Sequence, residues 1–179
     1  MVFSRRIQED FIYQLKQEIM DATHFHLVFT HFPIVGTIIG IGVLAYGLYS
    51  KNEAIKKVAL VIFTLMALLS VPVFLSGEEA EETVEHLAGV SETLMEEHEE
   101  LAETAIWVMG ILGVLSLLSF GTIVGKMSFA RTVTLVTFAV SLATFGLFAK
   151  VGNLGGQIRH SEIRAANSAV NESTSEPSG

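Results

Sequence analysis

The stretch THFHLVFTHFPIVG carries three of the chain's six histidines, His24, His26 and His31, at the head of a long apolar run. A neutral imidazole holds one N–H and one lone pair, so in an apolar setting it needs a hydrogen-bonding partner, a metal or a haem iron. The chain has no cysteine, which excludes disulfides, thiolate metal sites, iron–sulfur clusters and covalent c-type haem attachment. Any metal would be held by His, carboxylate or carbonyl.

The other histidines lie among carboxylates. Leu94, His98, Leu101, Ala105 and Val108 recur at steps of three and four, which turns His98 inward and leaves Glu96, Glu97, Glu99 and Glu100 on polar positions. His31 lies deepest in the first apolar run. His24 and His31 are two turns apart on one helix face, and His26 points elsewhere. His86 follows Glu82 by one turn and Glu78 by two, an alignment that metals use and that a glutamate-rich segment also produces by chance. His160 and Glu162 come after Gly155 and Gly156, where the chain can turn back over its neighbours. The expected ligand set is therefore His31, His98 and His160 with Glu78 or Glu82, with His26 and His86 as further candidates. The alternative is that these rings hydrogen-bond to glutamates and carbonyls and only stabilise one end of the molecule or sense pH.

The elements that must position these residues are legible in hydropathy. Half of the 179 residues are apolar, too many for an ordinary soluble domain. Four runs, roughly Phe25 to Tyr49, Val58 to Ser76, Thr104 to Gly125 and Thr132 to Val151, each suffice to cross ~30 Å of hydrocarbon as a helix. The short connections 50–57 and 126–131 force antiparallel neighbours, so the expected fold is all-α: a four-helix transmembrane bundle. The expected divisions are an amphipathic helix over 1–22, a membrane domain over 23–156 with an acidic extramembrane hairpin at 78–103, and a tail over 157–179, disordered after about 165. Residues 1–22 contain no apolar run typical of a signal peptide.

Four crossings put every histidine at or beyond one membrane face, with Glu53 the sole acidic residue on the other. The short loops carry Lys51, Lys56, Lys57, Lys126 and Arg131, and the middle connection carries no Lys or Arg. Positive-inside sorting thus places the histidine and glutamate-rich face outside. In the middle connection Gly89 reads as a helix stop, and Ser91 with the Thr93/Glu96 pair as a capped restart. G-x-x-x-G at Gly36/Gly40 and Gly121/Gly125 suits close helix approach. Pro33 kinks or starts the first helix, and Pro72 interrupts the second.

His26 followed by His31-Phe32-Pro33, Ser76-Gly77 closing the second span and His98 opening the third resemble an uncharacterised bacterial family of four-helix integral membrane proteins. The resemblance covers roughly residues 24 to 150 and implies a b-type cytochrome or a metal-binding redox subunit. The glutamate-rich hairpin and the GGQIRHSEIR tail lie outside that pattern.

Three functions follow as expectations. The first is a membrane electron-transfer protein with haem b held by two inward histidines, His31 and His98, with Gly36 and Gly110 making room for the macrocycle and the acidic face steering a basic electron carrier. The second is a non-haem copper, zinc or iron site built from His31, His98, His160 and Glu82. The third is an accessory or assembly subunit that binds other subunits of a membrane complex. The net charge of -8 argues against nucleic acid, and no P-loop, nucleotide fingerprint, nucleophile elbow or H-E-x-x-H is present. An electron-transfer or accessory role is therefore favoured over a stand-alone enzyme.

Overall fold

A computed structural model describes residues 26–84 and 90–159, apart from the side chains of 78, 79, 82–84 and 159. The amphipathic segment 1–22, His24, His86, Gly89, His160, Glu162, the tail, and the side chains of Glu78 and Glu82 lie outside this description.

Four helices, α1 (His31–Tyr49), α2 (Glu53–Val84), α3 (Glu92–Val124) and α4 (Ala130–Arg159), make up the described chain. One further helical turn precedes α1, so its apolar span runs His26–Tyr49. All four are long and apolar enough to cross a membrane. A helix satisfies its backbone groups internally, which is what a 20-residue apolar run must do in hydrocarbon. Pro33 falls within the first span without ending it, and Thr37 Oγ donates to the Pro33 carbonyl at 2.6 Å. Pro72 lies within α2.

Each helix packs on its neighbours in sequence, and α1 closes the ring against α4; α1 and α3 face each other across one diagonal, α2 and α4 across the other. The centre is Leu44, Ala59, Phe63, Met109 and Leu112. Large apolar side chains such as Leu68, Ile111, Val114, Leu117 and Leu118 point outward, which suits a lipid-facing surface.

Both short turns have the same backbone. In the first, Lys51 N donates to Leu48 O and Asn52 N to Gly47 O; in the second, Lys126 N donates to Ile123 O and Met127 N to Thr122 O. These are Schellman closures, and the left-handed position that usually holds glycine holds Lys51 (φ 54) and Lys126 (φ 51).

Three local expectations need correction. Ser91 does precede α3, but its side chain makes no capping bond, and Thr93 lies inside the helix, so the Thr93/Glu96 pair does not form the cap. Gly155 and Gly156 do not turn the chain, because α4 continues through them to Arg159. The two G-x-x-x-G pairs also differ: a Cβ at Gly40 would sit 2.5 Å from Phe63 Cε1, whereas Gly121 has nothing within 4 Å. Only the first serves contact within the bundle.

Candidate functional site

Among the described residues, His26 and His98 are the two histidines that reach across to another helix. His26 stands one turn before α1, and its position continues a buried stripe of Pro33, Thr37, Gly40, Leu44 and Gly47. Those spacings of seven, four, three, four and three hold one helix face toward the bundle. His26 Nδ1 lies 3.0 Å from the Val73 carbonyl oxygen on α2 and 3.3 Å from Ser76 Oγ. His98, on α3, continues the stripe of Met95, Ala105, Met109 and Leu112. Its Nδ1 lies 3.1 Å from the Val151 carbonyl oxygen on α4.

A carbonyl oxygen only accepts, so both Nδ1 atoms carry the proton. In the neutral ring each Nε2 then bears the free lone pair, the tautomer in which a histidine ligates a metal while its other nitrogen is anchored. Glycine lets each ring lie against the opposing helix. A Cβ at Gly77 would stand 3.1 Å from His26 Cε1, and a Cβ at Gly155 would stand 3.2 Å from His98 Cε1.

The two hairpins are thus built to one plan. In each, a histidine near the start of the first helix donates to the carbonyl of a valine on the second, and its ring rests on the glycine four residues further along: Val73 and Gly77, then Val151 and Gly155. The donors belong to diagonally opposite helices. Neighbouring axes about 8–10 Å apart leave roughly 11–14 Å across such a diagonal. Val73, Ala80, Met95 and Leu154, all buried, give this end an apolar lining.

The site lies near the membrane boundary. Glu96, Glu97, Glu99, Glu100 and Glu103 are exposed around His98, and ionised carboxylates on an outer surface require water or headgroups. Trp107 is 70% exposed and Tyr49 86%, as befits aromatic residues at the two interfaces. The 24-residue span from His26 to Tyr49 is about 36 Å long, so the histidine layer lies at the far end from the lysine turns.

Several expected site residues fall elsewhere. His31 is exposed, and its Nδ1 donates to Leu27 O of its own helix at 2.9 Å. Five residues after His26 it is rotated about 140° around the helix, so the two cannot share an inward face. Gly36 does not make room for a cofactor: a Cβ there would lie 2.0 Å from Met66 Sδ. Gly110 has nothing within 4 Å and lies on the outer surface. Among the described residues no three His, Asp or Glu side chains gather as a metal site. Of the expected non-haem set, only His31 and His98 have described side chains, and they point to different surroundings.

The signal for His26 was present in the sequence. Counting back from the small residues Gly47, Gly40 and Thr37 leads to Pro33 and then to His26, whereas depth in the apolar run favours His31. Gly77 and Gly155 carried no such signal, since their role depends on which ring lies opposite. Comparison with family models, curated proteins and solved structures finds no match to this chain.

Proposed function

We propose that this chain is an integral membrane electron-transfer protein that binds haem b between His26 and His98. The observation that carries the reading is the matched pair of anchored imidazoles on diagonal helices, each Nδ1 donating to a carbonyl of the next helix. Anchoring Nδ1 fixes the ring plane and leaves Nε2 as the nitrogen that would hold the iron. Gly77 and Gly155 present no side chain, which is what lets each imidazole lie against the neighbouring helix in the position from which it would hold the group.

Held by one imidazole from each of His26 and His98, a bound haem would supply one-electron transfer rather than oxygen chemistry. The residues' part is to hold the iron, set its electronic surroundings and exclude water with the buried Val73, Ala80, Met95 and Leu154. The exposed glutamates around α3 suit a basic electron carrier approaching from the histidine side. The cations at and beside the two turns, Lys51, Lys56, Lys57, Lys126 and Arg131, favour an orientation with the histidine face outside, and the family resemblance favours a bacterial inner membrane.

The test is an absorbance spectrum of the detergent-purified full chain expressed with haem supply, oxidised and then reduced. The expected result is a low-spin b-type spectrum that is lost in both His26→Ala and His98→Ala and kept in His31→Ala. A chain that takes up no haem, or one whose spectrum ignores both inward substitutions, overturns the reading. Stoichiometric copper, zinc or iron without haem would shift the assignment to the non-haem site.

A further inference from the structure

The two half-sites share their valine and glycine and differ at the residue that can reach back to the accepting carbonyl. Three residues after the accepting valine stands Ser76 on α2 and Leu154 on α4. Ser76 Oγ donates to the Val73 carbonyl oxygen at 2.8 Å, the same oxygen that receives His26 Nδ1–H. It also lies 3.3 Å from His26 Nδ1 itself, longer than an ordinary N–H···O bond, so the carbonyl stays the main acceptor of the imidazole proton and the hydroxyl returns less than it takes from that carbonyl. Leu154, 7% exposed, offers Val151 no such hydroxyl. The two N···O separations, 3.0 Å and 3.1 Å, are almost equal. What differs is the competition for each acceptor.

A carbonyl that already accepts a hydroxyl proton has less electron density for a second donor, and its two lone pairs are divided. A histidine that donates strongly through Nδ1 gains imidazolate character and becomes a better electron donor at Nε2, which stabilises ferric iron. We infer that the Ser76 hydroxyl weakens the hydrogen bond anchoring His26, makes His98 the more electron-donating of the two ligands, and so raises the reduction potential of the site. Ser76 is a positioning residue acting through Val73 and His26. The redox part of this inference rests on the haem reading; the hydrogen-bond part does not.

Two measurements separate these parts. In the haem-free full chain with 15N-labelled histidine, NMR should place the Nδ1–H proton of His98 further downfield than that of His26. Ser76→Ala should move the His26 signal downfield and leave that of His98 in place, and Ser76→Thr, which keeps the hydroxyl, should leave both. In the haem-loaded protein, redox titration should show a lower midpoint potential for Ser76→Ala, an unchanged one for Ser76→Thr, and a low-spin spectrum in both. An unmoved or upfield-shifted His26 signal overturns the hydrogen-bond inference, and an unchanged or raised midpoint overturns the tuning. Failure to take up haem at all overturns the haem reading, while the NMR result still decides the role of Ser76.

Discussion

The first hairpin, α1–α2, and the second, α3–α4, share their ends and differ in their middles. At the ends both have a left-handed lysine in a Schellman turn and a histidine donating to a valine carbonyl. In between, the first hairpin seats bulky groups on glycine: Phe63 against Gly40 and Met66 against Gly36. The second buries hydroxyls, Ser116, Ser119 and Thr122 on α3 with Thr134, Thr137, Ser141 and Thr144 on α4. Ser119 and Thr137 hydrogen-bond across the helix pair at 2.7 Å. Lipid is as apolar as leucine, so burial of apolar surface does not drive helices together within the bilayer. Shape fit on glycine and small hydroxyl contacts are two ways to reach the same separation, and the histidine end requires only that separation.

The largest effect should come from breaking the equivalence at the ends. A leucine at either Gly77 or Gly155 places a side chain where the imidazole now lies, so Gly77→Leu and Gly155→Leu should each abolish stoichiometric haem uptake. Haem content per chain after purification reads this, with helicity by circular dichroism to show that the bundle persists. Retained uptake in one variant alone would show that the two half-sites are not equivalent.

The middles should respond unequally. Gly40→Ala drives a methyl into the fully buried Phe63 ring, and overpacking of this kind costs about 1–3 kcal/mol. Gly110→Ala, facing open space, should cost nothing measurable. In the second hairpin, removing the Ser119–Thr137 bond with Ser119→Ala should cost about 0.6 kcal/mol, the average for interhelical hydrogen bonds in membranes. Reversible unfolding in mixed detergent micelles measures all three. A loss at Ser119 equal to that at Gly40 would remove the distinction between shape fit and hydroxyl contact.

The smallest effect concerns the turns. A non-glycine residue in the left-handed region is strained, while glycine adds entropy to the unfolded chain. Lys51→Gly and Lys126→Gly should therefore each stabilise by about 0.5 kcal/mol in the same unfolding assay. Unequal responses would show that the surroundings of the two turns matter more than their shared backbone.

The number, order and hairpin pairing of the four spans follow from the sequence alone, because a 20-residue apolar run has no alternative in hydrocarbon to forming a helix and connections as short as 50–57 and 126–131 have no alternative to returning beside it. His98 was legible for a similar reason, since its helix alternates charge and apolar residues sharply enough to fix a face. The first span is apolar all round, so hydropathy could not orient it, and depth in the run pointed to His31 where close helix approach selects His26. Gly155 illustrates the same limit: by itself it reads as a helix end, yet α4 runs through it and the imidazole of His98 rests on it. Which carbonyl receives each Nδ1–H, and that Ser76 competes for one of them, are properties of pairs of helices. Only the tertiary structure decides them, because each depends on the rotation of one helix against its neighbour, which local sequence does not constrain.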